Sequence, residues 1–439
     1  MSVIRPSRTF TPGLEFRKQY FDSAKEFEKD VVAARDIIHS RLSVLGELKS
    51  LLQIAFGDAQ YSKPPIFVDA RQSEVRLLES LPDGIEPDVQ TVIKPDYIVR
   101  FHQGTLDPRL GLFQDARSYP PSIPKGDVPN LIRFADLLNK TPTVFLENVN
   151  KFPAHELPKP TEDIEQIRQD ITNFGYGLVK NALSSEEVRI IKTAVLEQAT
   201  GERQAGVATF DGGPEGTNQR VWNLINKGDE FIDLLNHPLI DAVVPWFLGD
   251  HAHISTLSAN IARPGNVPMQ LHTDQASKTP PQRNLALGLN ISFYLVDTIA
   301  LNGATRVYPA SHMGNVTASD IWTVDGSIPA EGPAGTAVVF DNRLWHTTGP
   351  NRVTEADVGV EKERPVILLH FVRSFVRAGE NHYLSLRKDV EAKLPDRQKA
   401  FFGFRKIPGI GSVEGHIAST FVTRREDAIG PMRVAPEKS

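Results

Sequence analysis

Two histidines and an aspartate in this chain are spaced so that they could hold a metal ion. The stretch MQLHTDQ, residues 269–275, sets His272 two positions from Asp274, just after a Pro-Gly turn. On a strand, residues i and i+2 face the same side, so one imidazole nitrogen and one carboxylate oxygen can meet a single ion. A third ligand has to come from elsewhere. FDNRLWHTTGPNR, residues 340–352, offers His346 at the end of an apolar strand, immediately before a Thr-Thr-Gly-Pro turn. Two histidines and one carboxylate on one face of an octahedral ion form the facial triad, whose remaining positions stay open for substrates, as non-haem Fe(II) oxygenases require. Each piece alone has a plainer reading. His272 and Asp274 can be polar residues on the wet face of a strand, and His346 can be a strand-end histidine hydrogen-bonded to its turn.

Composition narrows the field. The chain has 439 residues, enough for one large domain and an accessory region, with 23% charged and 40% hydrophobic residues and a net charge of −5. Acidic and basic residues are interspersed, so there is no nucleic-acid footprint and no polybasic membrane anchor. No apolar run approaches the roughly 18 residues of a membrane-spanning helix. MSVIRPSRTF lacks the apolar core of a signal peptide, which points to a cytoplasmic protein. Cysteine is absent, which excludes disulfides, thiolate zinc sites, cysteine-held iron–sulfur clusters and a cysteine nucleophile. Any metal must be held by His, Asp or Glu.

The elements that would carry these residues follow from periodicity. Phe27, Val31, Ile38, Leu42, Leu45 and Leu52 recur at helical spacing and predict one long amphipathic helix over residues 24–55. Residues 56–160 are mixed and proline-rich, and KFPAHELPKP (151–160) reads as a domain boundary. Beyond it the pattern predicts a helix, a strand over Tyr176–Val179 and a second helix opened by a capping box from Ser184 to Glu187. From about residue 250 short β-rich segments dominate. Leu289, Ile291, Phe293 and Leu295 alternate with Asn290, Ser292 and Tyr294, the period of a strand with one apolar face, and several such strands suggest a sandwich or jelly roll. DGGPEGTNQR (211–220) has the composition of a lid beside the site, with Arg220 as a substrate anchor. GIGSVEG (409–415) lacks the strand–turn–helix context of a dinucleotide loop and reads as a plain loop. No G-x-S-x-G elbow is present for a serine hydrolase.

Taken in order, His272-x-Asp274, NGATRVYPASH (302–312) and GTAVVFDNRLWHTTGPN (335–351) resemble the phytanoyl-CoA dioxygenase family. The upstream FGYGLVKNALSSEEV and RVWNLINKGDEFIDLLNHP are similar to the opening of that family's domain, so the resemblance covers about residues 161–378. It implies a mainly β fold with flanking helices: a double-stranded β-helix (jelly roll, cupin-like) catalytic domain over 161–378. A largely helical N-terminal extension (1–160) would precede it, and a C-terminal extension (379–439) would pack on it. It also implies Fe(II) held by His272, Asp274 and His346, 2-oxoglutarate and O2 as cosubstrates, and oxidation of a C–H bond of a small organic substrate with release of succinate and CO2. Relatives that halogenate lack the carboxylate, so Asp274 favours hydroxylation. The distal carboxylate of 2-oxoglutarate needs an arginine fork and a hydroxyl. Arg364, immediately before PVILLHFV, matches the family position for that arginine, and Arg352 in GPNR is the other candidate, because VTEADVGVEKE (353–363) lengthens the gap after His346. Thr348 would add a hydroxyl, Gln270 and Thr305 match family positions that contact the cosubstrate, and His312 would support a turn. Two alternatives stay open: a non-redox metal enzyme on a cupin-like barrel, and a non-catalytic binding protein on the same fold. The N-terminal extension is expected to pack on the domain, either shaping the substrate entrance or mediating self-association into a homo-oligomer.

Overall fold

The helix expected over residues 24–55 stops early. It runs Ser23–Ser40, is followed by a single turn Leu42–Leu45 and a 3-10 turn Gly46–Leu48, and gives way to the strand Leu51–Phe56. Lys49 adopts a left-handed conformation at φ 49, which no helix can continue through. Beyond it the buried residues Leu52, Ile54 and Phe56 recur with period two. This is a computed structural model, and it describes residues 23–57, 61–108, 111–112, 124–211, 217–276, 282–404 and 410–411. These fall into two compact units that change over between Val144 and Phe145, with Thr317–Ser319 belonging to the first.

The first unit is mixed α/β rather than largely helical. Its five-stranded sheet is ordered Arg76–Leu78, Ile66–Asp69, Leu51–Phe56, Val89–Ile93, Lys125–Gly126. The Leu51–Phe56 strand pairs antiparallel with Ile66–Asp69 and parallel with Val89–Ile93. The prolines that made this region look irregular fall outside those strands: Pro64 and Pro65 come just before Ile66, and Pro95 opens the helix Pro95–Gln103.

The second unit is built on a seven-stranded antiparallel sheet. Its order is Tyr176–Val179, Ala337–Asp341, Gly288–Tyr294, Arg364–Val372, His253–Ala262, Asn218–Val221, Thr209–Phe210. A three-stranded sheet, Ile328–Pro329, Arg306–Val307 and His346–Thr347, belongs to the same unit. Several sheets are therefore present in a mixed α/β chain, with no closed barrel among the described residues. The alternation seen in sequence sorts the two faces of the large sheet. Leu289, Ile291, Phe293, Ile367 and Leu369 join one apolar cluster with Val195 and Ala199 of the helix Ser185–Gln204 and Val243 of the helix Pro238–Leu248. Asn290, Ser292, Leu368 and His370 project to the other side, into a cavity. Leu386, Val390, Leu394, Phe402 and Phe404 add the chain beyond residue 379 to that same apolar cluster. Of GIGSVEG only Ile410 and Gly411 are described, and residues 212–216 of the expected lid lie outside the described residues. No helix among the described residues is long and apolar enough to cross a membrane.

The helix Ser185–Gln204 begins at the capping box read from sequence: the Ser184 side chain accepts from the Glu187 amide, and the Ser184 amide donates to the Glu187 carboxylate at 2.8 Å. The helix Ile164–Phe174 ends at Gly175, which lies at φ +85. A Cβ there would sit 2.7 Å from His312 Nδ1 and 2.8 Å from Leu344 Cδ1, two residues from His346. The Gly175→Ala variant carries both the left-handed penalty and that collision, so it should lose at least about 1–2 kcal/mol of stability. Urea unfolding of the two proteins measures the loss, and equal midpoints would refute it.

Candidate metal centre

The two histidine segments are joined backbone to backbone. The amide of His272 donates to the carbonyl of His346 at 3.1 Å, and the amide of His346 donates back at 2.9 Å, an isolated antiparallel bridge. The strand expected around His272 is thus a single bridged residue, and Asp274 lies in a turn. Asp274 is oriented from the large sheet instead: Asn290 Nδ2 donates to its Oδ2. Its other oxygen, Oδ1, lies 3.7 Å from His272 Nε2 and 3.8 Å from His346 Nε2. One ligand atom from each of the three residues falls within 4.8 Å of the others.

Both imidazoles are held by their far nitrogen. His272 Nδ1 contacts the Gln270 carbonyl at 2.7 Å, and His346 Nδ1 contacts the Leu344 carbonyl at 3.0 Å, in each case two residues upstream. A carbonyl only accepts, so Nδ1 carries the proton and Nε2 presents its lone pair to the shared space. The His346 ring packs against Phe340, centroids 4.7 Å apart. Burial, with the neighbouring His346, pushes His272 down to about 4, so its ring is neutral. Burial alone would raise the Asp274 carboxyl, but His346, His370, His272 and the Asn290 amide outweigh it and hold the group below its ordinary value. A neutral imidazole at His272 and a carboxylate at Asp274 are the protonation states that bind a divalent cation.

The three residues border a cavity of about 240 Å3. Its sheet wall carries Asn290, Ser292, Val366, Leu368 and His370, and Arg364, Thr305 and Thr348 also border it. Arg364 is 1% exposed, and its Nε and Nη2 have no hydrogen-bond partner. Its burial pulls the guanidinium down to about 10, still protonated at neutral pH. Arg352 is exposed and does not border the cavity. Gln270 is also exposed; what it contributes is its carbonyl. Arg220 borders the cavity but is engaged, with Nε on Asp211 Oδ2 at 2.6 Å and the guanidinium 5.3 Å above the Trp222 ring. His312 is apart from the three, its Nε2 on the Thr172 carbonyl at 3.0 Å. Sequence reasoning passed over Asn290, Asn260 and His370. The only signal available was the polar half of the strand alternation, which looks the same for a solvated face.

The model of the phytanoyl-CoA dioxygenase (PhyH) family matches residues 171–355, a stretch that contains all three clustered residues. Dioxygenase af480 of Aspergillus fumigatus is 29% identical over 258 residues, covering 56% of this chain and 79% of that one. Dioxygenase sphC of the same species is 25% identical over 312 residues, covering 65% and 74%. Among solved structures, HygX from Streptomyces hygroscopicus, determined with nickel and 2-oxoglutarate bound, aligns with a TM-score of 0.40 at 13% identity over 48% of this chain and 88% of its own. Over residues 171–355 the chain is similar to the phytanoyl-CoA dioxygenase family, whose members are Fe(II)- and 2-oxoglutarate-dependent oxygenases.

Proposed function

We propose that this enzyme hydroxylates, or otherwise oxidises, an unactivated C–H bond of a small organic substrate, consuming 2-oxoglutarate and O2 and releasing succinate and CO2. The observation that carries the reading is a pairing: three converging ligand atoms at one cavity that also holds a buried guanidinium with unused donors. The seven- and three-stranded sheets are then the two walls of a double-stranded β-helix. His272, Asp274 and His346 would hold Fe(II). Neutral imidazole nitrogens, one carboxylate oxygen and no sulfur make a donor set that suits this ion. Once bound, Fe(II) supplies the redox chemistry that couples O2 and 2-oxoglutarate to substrate oxidation.

The protein's own part is orientation and charge. A buried guanidinium without a partner is costly, and a carboxylate that accepts from Nε and Nη2 offsets the cost with two charge-assisted bonds. Arg364 is therefore the anchor for the distal carboxylate of 2-oxoglutarate, with the hydroxyls of Thr348 and Thr305 beside it. Arg352 has no such role, and Gln270 acts through its carbonyl. Arg220 is neutralised by Asp211, so the substrate group it meets need not be an anion. Asn290 keeps Oδ1 of Asp274 turned toward the histidines. A non-redox metal enzyme would have no use for the buried Arg364.

Anaerobic addition of Fe(II) and 2-oxoglutarate should produce a weak visible charge-transfer band. Asp274→Ala should abolish both the band and turnover, and full turnover in that variant would end the assignment. Arg364→Ala should weaken 2-oxoglutarate binding at least about a hundredfold, the equivalent of roughly 3 kcal/mol or more, while Arg352→Ala changes it little. The reverse pattern in parallel titrations would move the anchor to Arg352. His272 titrates in the folded protein near 4 but near 6.5 when unfolded. The metal-free unfolded chain therefore binds the extra proton first, and stability falls as pH drops from 6.5 toward 4. His272→Gln should flatten that dependence in urea melts at pH 7, 5.5 and 4.5; an unchanged slope would show that His272 is not held neutral.

A further inference from the structure

Among the described residues bordering the cavity, Arg364 is not alone in carrying buried polar atoms without a partner. Asn260 is 2% exposed, and neither its Nδ2 nor its Oδ1 has a hydrogen bond. A carboxamide kept for the fold alone finds its partners within the fold, because a buried polar group without one is destabilising. Asn260 faces the cavity together with Thr256 and Ser258, at alternate positions of the strand His253–Ala262.

The register says what passes it. Arg364 lies opposite Ala262, and Asn260 lies opposite Val366, one cavity-facing step further along the sheet. The next steps are Leu368 with Ser258 and Ser292, then His370 with Thr256 and Asn290, and Asn290 is the residue that holds Asp274. Asn260 therefore flanks the route from the buried guanidinium to the metal ligands. On the 2-oxoglutarate reading above, a dicarboxylate that spans those two points runs past this amide.

We propose that Asn260 is a specificity-determining residue for the cosubstrate. Its Nδ2 donates to the distal carboxylate beside Arg364, so that the carboxylate is read from two sides. The cavity thereby selects the five-carbon 2-oxo diacid over its four- and six-carbon homologues. A carboxylate at this position would pair with Arg364 itself and shut the cosubstrate out.

The test uses full-length protein with Ni(II) in place of iron, titrated with 2-oxoglutarate, oxaloacetate and 2-oxoadipate, and thermal melts of the ligand-free protein. Asn260→Leu removes both polar atoms at similar volume. It is expected to melt at or above the wild-type temperature, to bind 2-oxoglutarate at least tenfold more weakly and to discriminate less among the three diacids. Asn260→Asp, nearly isosteric, is expected to lose more 2-oxoglutarate affinity than Asn260→Leu. Unchanged 2-oxoglutarate affinity in either folded variant would overturn the proposal, and a lowered melting temperature with unchanged affinity would make Asn260 a structural residue satisfied by water. Wild-type protein that binds no 2-oxoglutarate would remove the dioxygenase reading itself and the proposal with it, a result distinct from any variant effect.

Discussion

The site depends on two backbone hydrogen bonds, those exchanged between His272 and His346. One histidine follows a Pro-Gly turn and the other ends an apolar segment 74 positions later, so nothing local relates them. Once the bridge forms, their rings lie with centroids 4.5 Å apart, and a carboxylate from the next turn meets both. Its surroundings hold the bridge in place. The Trp345 ring is buried, with Nε1 donating to the Val316 carbonyl, and Thr347 Oγ1 donates to the Met269 carbonyl at 2.6 Å. Each such bond is worth only about 1 kcal/mol net. Together, in a site largely withdrawn from water, they leave the two segments little freedom to slide.

The large sheet divides two demands between its faces. One face is filled with aliphatic and aromatic side chains packed on helices, and this is where the unit gains its stability. The cavity face carries asparagines, serines, a histidine and an arginine, several of them buried. Polar groups there weaken the fold unless something arrives to satisfy them. Such a face is only tolerable on a sheet whose other side is already well packed. It also explains why the strands Gly288–Tyr294 and Arg364–Val372 are buried along nearly their whole length while still alternating in character.

What was legible in the sequence tracks how local each interaction is. The capping box at Ser184, the strand at Tyr176–Val179 and the alternation from Leu289 to Tyr294 are short-range patterns, and each appears in the structure as read. The three metal-type donors were visible through side-chain chemistry and spacing. Their meeting point rests on a long-range bridge and on Asn290, neither of which leaves a local signature. The N-terminal sheet was missed because its strands are only two to six residues long and separated by prolines, so helical spacing before Lys49 dominated the pattern. The sequence suggests Arg220 as a substrate anchor because its ion pair with Asp211, nine positions away, leaves no local signature.

The two imidazoles are steered by main-chain carbonyls rather than by carboxylate or amide side chains. A carbonyl belongs to every residue type, so the side chain at position 270 is uncoupled from the tautomer of its neighbour at 272. The Gln270 side chain is exposed. A different side chain there leaves the histidine with the same lone pair in the same direction. The chain thus has a position beside a metal-type ligand where sequence can drift without the metal chemistry being renegotiated.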